Sequence, residues 1–324
     1  MPWRLIMYFP YLRGRQFELI AIRELLEKNL IGNKIVPVIE PIKPTSTLVK
    51  TLQIYTQKQH SIALVMNPGV GDFASKLKEK KKKQDIVVDE LYKQLESECI
   101  TRAYLMKKNT PAQLKKKTNI EKFMIINPKR DCLDDFLEVY DTQEPAFTLL
   151  PDDRTFSRKA PNSKVIFMDR FEKAARNSDY CKNEDEFFSE DHIYYNTEGF
   201  KGFSDYSVVG AEYNESGFAP LAVAIHIVYF DKNKGLRIGH FVSDSNDDIN
   251  DPAGKFGEAV KKLVNWVEET NQIKTEGLKS FIECYKTGKY PGLGTVKKYS
   301  IMHHLELMNK YLEGEASANW DELL

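Results

Sequence analysis

The chain has no apolar run long enough to cross a bilayer, no paired-cysteine motif and no net charge, and each absence removes a class of function. A membrane-spanning helix needs about 20 consecutive apolar residues, and the apolar runs here are far shorter, so no membrane partner is expected. Lys plus Arg number 47 and Asp plus Glu 47, which leaves no long-range field to draw the whole molecule onto nucleic acid. The four cysteines, Cys99, Cys132, Cys181 and Cys284, stand far apart without ligand spacing. They read as reduced thiols rather than a zinc site. The opening MPWRLIMYFPYLRGR lacks an apolar core with a cleavage site, so the expected location is cytoplasmic. With no GxSxG, GxGxxG or paired-cysteine motif, a serine hydrolase, a Rossmann dehydrogenase and a redox enzyme of the usual kinds are argued against.

What the sequence does contain is eight short apolar runs, each ending on a polar residue or proline: MYFPYLR, IVPVIEP, IALVMNP, RAYLMKK, FMIINP, AFTLLPD, VIFMDR and DYSVVG. Amphipathic helical stretches follow most of them, the written form of repeated βα units. The expectation is a modified TIM-like (βα)8 barrel forming a single domain over 1–324, with strands at 6–12, 35–39, 62–66, 102–106, 123–126, 146–150, 165–168 and 206–209. A short helix through residue 117 follows the fourth strand. Between strands six and seven stand only PDDRTFSRKAPN, too short and polar for a full crossover helix, so that helix should be reduced. An acidic and aromatic excursion occupies 171–203. A second excursion at 211–250 carries a hairpin inserted after strand eight, signalled by Asp231 to Gly235 between two apolar runs. Asp251-Pro252 opens the first of the closing helices, and 276–324 forms a C-terminal helical extension. The lysine run 78–83 reads as a solvated stretch, and with few aromatics nearby it is a poor nucleic-acid surface.

In a parallel barrel the functional groups sit where strands pass into loops. That rule gathers Glu40, Asp169 and Asp205 as candidate catalytic carboxylates, and Arg13, Asn67, Lys107, Asn127 and Asp152 as candidate ligand-binding groups. Carboxylates at such a mouth exchange protons or hold a divalent cation, whose identity the sequence leaves unknown. Arg13 and Lys107 suit a phosphate or carboxylate on a small ligand. Each residue taken singly has an equally good reading as a solvated loop residue or salt-bridge partner.

Two runs share nearly the same phrase, Val-Met-Asn67-Pro68 and Ile-Ile-Asn127-Pro128. Asn before Pro is a turn former in its own right, a stronger reading than direct ligand contact. Glu40-Pro41 has the same form with a carboxylate in place of the amide, which makes Glu40 the better catalytic candidate. The stretch Pro291-Gly-Leu-Gly294-Thr-Val-Lys297-Lys298 places backbone amides and lysines at a helix start, where anions bind; an ordinary loop and N-cap explain it better. His303 and His304 are neighbours facing different ways, and His226 reads as a structural histidine in the hairpin.

The set MYFPYLRGRQFE (7–18), VPVIEP (36–41), Asn67-Pro68 with Gly71-Asp72, GFSDY (202–206) and PGLGTVKK (291–298) resembles the phage-associated beta-protein family of bacteria, over most of the chain. The resemblance implies a barrel-like protein of prophages and other mobile elements, linked to phage defence, and supplies no catalytic residues to carry over. Two functions fit. One is a metal-assisted hydrolase or lyase acting on a phosphate-bearing or nucleotide-like ligand; the other is a non-enzymatic protein-interaction module in phage–host conflict.

Overall fold

The computed structural model describes residues 7–115, 123–140, 145–160, 162–214 and 220–314. Expectations for residue 6, for 116 and 117, for 215–219 and for 315–324 lie outside the described residues. The chain divides into two compact units, Met1–Met168 with Asp191–Tyr206, and Asp169–Glu190 with Ser207–Leu324.

The first unit is a mixed α/β arrangement of the TIM-like kind built on a curled parallel sheet. Its strands are β1 (Met7–Tyr8), β2 (Tyr11–Leu12), β3 (Val38–Ile39), β4 (Ile62–Val65), β5 (Ile100–Leu105), β6 (Phe123–Ile126), β7 (Phe147–Leu150), β8 (Lys164–Met168) and, after β9 in the other unit, β10 (Gly202–Asp205). They run β1-β10-β8-β7-β6-β5-β4-β3-β2, every pair parallel. The expected eight-strand ring is therefore corrected to an order of nine strands with β1 and β2 at its two ends. The physical reason is Pro10, which has no N–H to give a ladder and splits the first run in two. Tyr8 pairs with Phe203 and also bridges to Ile35. Curling brings rings from separated strands together, Phe9 on Phe147 at 4.9 Å and Tyr11 on Phe167 at 5.1 Å.

A second correction concerns the last parallel strand, which is Gly202–Asp205 and not 206–209. Gly202 approaches so close to β1 that a side chain there would run into the Met7 carbonyl. The helices fall between strands: α1 (Gln16–Glu27), α2 (Ser46–Gln57), α3 (Phe73–Lys82), α4 (Ile86–Gln94), α5 (Thr110–Lys115), α6 (Leu133–Tyr140), α7 (Arg154–Lys159) and α8 (Asp191–Tyr194). Thr45 caps α2 by accepting from Leu48 N, and Asp85 caps α4 by accepting from Val87 N and Val88 N. Helix α7, between β7 and β8, is the reduced crossover, six residues long. Most of the lysine run lies within α3, where Lys80 pairs with Asp85, Lys83 with Glu79, and Lys81 sits 4.4 Å from the Tyr92 ring centroid. Tyr104, Phe123, Ile125 and Leu150 of the strands, with Met106 just past β5, pack against Leu114, Phe136 and Phe156 of the helices.

The second unit is a three-stranded antiparallel sheet with three long helices. Strand β9 (Asp185–Ser189) pairs with β12 (Leu236–Val242), which pairs with β11 (Ala224–Phe230). The two excursions read separately in the sequence thus share one sheet. Ile225, Ile227 and Phe241 bury one face of it against Phe256, Val260, Leu263 and Val267 of α9 (Pro252–Thr270) and Leu278 and Phe281 of α10 (Glu276–Thr287). Helix α11 (Leu293–Leu312) is buried on all sides from Ser300 to Asn309. On it, His303 bridges Thr275 Oγ1 at 2.7 Å and the Val228 carbonyl at 2.6 Å, so it is a tie between elements. No described helix is long and apolar enough to cross a membrane.

Candidate functional site

The carboxyl ends of β2, β3, β4 and β5 bring four of the eight candidates together. Glu40, just past β3, is 1% exposed, and both its oxygens are engaged. Oε2 accepts from the Tyr11 hydroxyl at 2.8 Å and pairs with the Arg13 guanidinium, while Oε1 accepts from Gly69 N at 2.6 Å. Tyr11 and Arg13 reach the same oxygen because residues two apart on a strand share a face. Gly69 leaves room at this point, since a Cβ there would stand a tight 3.3 Å from Glu40 Oε1. Lys107 donates to the carbonyls of Asn67 at 2.9 Å and Pro68 at 2.8 Å, which holds its ammonium beside the Glu40 loop. Asn67 in turn clasps β5, donating to Leu105 O and accepting from Leu105 N, both at 2.9 Å.

Rings complete the site. The Arg13 guanidinium lies 5.2 Å from the Tyr206 ring centroid and 5.6 Å from that of Tyr11. Tyr11, Phe167 and Tyr206 touch one another, with centroids at 4.9 to 5.1 Å. Burial, followed by the Glu40 charge, raises the Tyr11 phenol well above its ordinary value, so it stays a donor. Partial burial lowers the Lys107 ammonium from its ordinary value, against an opposing pull from Glu40.

The other four candidates take different places. Asp205, at the end of β10, accepts from the Tyr8 hydroxyl at 2.7 Å, and burial together with that carboxylate raises the Tyr8 phenol well above its ordinary range. Its neighbour Tyr206 belongs to the Arg13 cluster. Asp169 belongs to the second unit, where it accepts from Phe171 N at 3.2 Å and Ala211 N at 2.7 Å, the work of a loop-fixing carboxylate. Asp152 is exposed, and its backbone N–H meets Met168 Sδ at 3.3 Å. Asn127 is wholly buried, yet neither carboxamide atom has a hydrogen-bond partner among the described residues. Among the described residues no three His, Cys, Asp or Glu side chains gather in a way that could hold a metal ion.

Sequence reasoning missed Tyr11, Gly69, Phe167 and Tyr206. The first carried a signal, since Tyr11-Leu12-Arg13 places a phenol and a guanidinium on one face. Gly69 carried another, a glycine directly after an Asn-Pro turn. Nothing in the sequence shows that Phe167 and Tyr206 meet Tyr11. Comparison with family models, with curated proteins and with solved structures finds no match to the chain.

Proposed function

We propose that the carboxyl ends of β2 to β5 form a binding site for a small ligand carrying a phosphate or carboxylate. The observation behind this is the engagement of both Glu40 oxygens. With both carboxylate oxygens given to Tyr11, Arg13 and Gly69, Arg13 is held in place and largely neutralised, and Lys107 supplies the surplus positive charge. Neutral carbonyls hold Lys107, so it keeps its charge for an incoming anion. The buried Tyr11, Phe167 and Tyr206 rings pack together, and Tyr11 and Tyr206 back the Arg13 guanidinium on the core side of this site.

The same reading places the ligand at the mouth formed by the carboxyl ends of the curled sheet. Three of the roughly four acceptor positions of the Glu40 carboxylate are taken by Tyr11, Arg13 and Gly69, which leaves it little freedom to shuttle a proton in a hydrolase or lyase step. Binding is therefore better supported than turnover, and Glu40 acts as a positioning carboxylate. The setting suggested by the beta-protein family, a mobile-element protein of phage defence, accommodates such a ligand sensor.

Titration calorimetry with inorganic phosphate, acetate and a panel of nucleoside monophosphates, with and without magnesium, tests the proposal. Binding of at least one of these, weakened tenfold or more in Lys107→Met, is expected; silence across the whole panel sinks it.

A second reading, a protein-interaction module in phage–host conflict, is favoured by Phe187, 54% exposed on β9. A partner captured from the native host by the wild type and lost by Phe187→Ser would support it.

A further inference from the structure

Within the second unit, a hydrogen-bonded chain runs from a carboxylate through two imidazoles. His226 and His240 stand directly opposite each other on β11 and β12, with Nδ1 facing Nδ1 at 2.7 Å. His240 Nε2 lies 3.0 Å from Glu186 Oε1 on β9. Rings close over the pair: Tyr180 lies 4.7 Å from His226 and 4.5 Å from His240, and Phe171 lies 5.0 Å from His226.

The donors can be assigned from chemistry alone. An ionised Glu186 only accepts, so His240 Nε2 carries a proton. In a neutral His240 the Nδ1 is then an acceptor, and His226 Nδ1 must donate to it. The remaining acceptor nitrogen of the chain is then His226 Nε2, and an added proton goes there.

We infer that Glu186, His240 and His226 form a proton-operated clasp that holds residues 169–190 on the β11–β12 hairpin and releases them when the chain takes up a proton at mildly acidic pH.

Every element packed on the pair bears on this. From β9 come Glu186 and Asp185, which favour a charged His240; the 177–182 turn brings Tyr180; α11 brings Lys297, which opposes a charge on His226. Burial outweighs the favourable carboxylates, and both imidazoles are held below their ordinary value. An imidazole that regains its ordinary pKa of about 6.5 on opening binds a proton more readily in the open state, so acid favours opening. Besides the imidazole chain, β9 is held to the hairpin by Arg237 and Tyr229 on Asp185, but its ladder is the weaker one. Its ladder with β12 has four paired positions and a register shift between Leu236 and Arg237, whereas β11 and β12 share seven unbroken pairs. Segment 169–190 carries Phe171, Tyr180 and Glu186 away together, which exposes the imidazoles while the hairpin keeps its own ladder.

Hydrogen–deuterium exchange on the full chain, corrected for the intrinsic pH dependence of exchange, reads this directly. Between about pH 7.5 and pH 5, protection over 171–189 should fall tenfold or more while 224–242 holds. In His226→Phe the pH-dependent fall should vanish. Unchanged wild-type protection, or the same fall in His226→Phe, overturns the clasp. Should that variant fail to fold, imidazole NMR of the wild type decides: His226 titrating at its ordinary value overturns the inference, and His226 staying neutral until the 171–189 signals change supports it.

Discussion

Tyr11 and Arg13, two residues apart at the end of β2, converge on the same Glu40 oxygen, the phenol donating at 2.8 Å and the guanidinium pairing with it. Glu40 is 1% exposed and Arg13 12%, so the pair has left most of its water behind. Such pairs are costly to break and cheap to replace whole, because removing one partner strands a buried charge.

Glu40→Leu should therefore destabilise the protein by about 3–5 kcal/mol. The double variant Arg13→Met/Glu40→Leu should recover most of that loss. Urea denaturation of the wild type, both single variants and the double variant measures the coupling; strict additivity would show that the pair does not act as a unit.

The two Asn-Pro phrases should separate on mutation. Asn67 bonds both backbone groups of Leu105; Leu105 O keeps the Thr110 hydroxyl, but Asn67→Leu strands Leu105 N and should cost about 1–3 kcal/mol. Asn127 has no partner for its buried carboxamide among the described residues, so Asn127→Leu should be neutral or raise stability by about 1 kcal/mol. Thermal denaturation of both variants checks the contrast, and a large loss in Asn127→Leu would reveal a partner for that amide.

Histidine burial in the second unit gives a pH dependence with a definite sign. Burial pushes His303 down to about 4, against the Val228 carbonyl, which favours its charged form. The unfolded chain then binds the proton first. Stability from this group is fully present above about pH 6.5, falls as pH drops toward 4, and levels off below it, for a total of roughly 3 kcal/mol. Unfolding free energies from urea titrations across that range should fall in the wild type and fall by about that much less in His303→Gln.

Two glycines in neighbouring helices should respond oppositely to alanine. Gly257, inside α9, has open space where a Cβ would stand, with nothing within 4 Å, so Gly257→Ala should stabilise by about 0.5–1 kcal/mol. Gly277, in the first turn of α10, lies where a Cβ would meet the Tyr299 carbonyl of α11, so Gly277→Ala should destabilise by about 1–3 kcal/mol. Melting temperatures of the two variants should move in opposite directions.

How far the sequence could be read depended on which signal each element used. Strands β4, β6 and β8 are carried by unbroken apolar runs, and their position was legible from 62, 123 and 165 onward. Strand β10 is Gly-Phe-Ser-Asp, without such a run, because close approach to Met7 demands a glycine and a polar end supplies Asp205. The neighbouring apolar stretch at 206–209 drew the expectation away from it. Strand β9 was illegible for a related reason: Asp-Glu-Phe-Phe-Ser is half exposed, and its charges serve Arg237 and His240 rather than a core. At the site, Arg13, Glu40 and Lys107 were visible as charges at strand ends. That Glu40 would be engaged by Tyr11 and Gly69 was not, since such hydrogen bonding depends on loop geometry that no spacing encodes.

The hydrogen bond from Tyr8 to Asp205 spans 197 positions, and this sets a schedule for synthesis. A ribosome adding about 5–20 residues per second needs roughly ten to forty seconds to deliver β10 after β1 has been made. Throughout that interval the first strand has neither its β10 neighbour nor the acceptor for its phenol. Nascent chains of this protein therefore pass through a long stage with an open strand edge, and their yield in a cell should depend on chaperone capacity more than the stability of the finished fold would suggest.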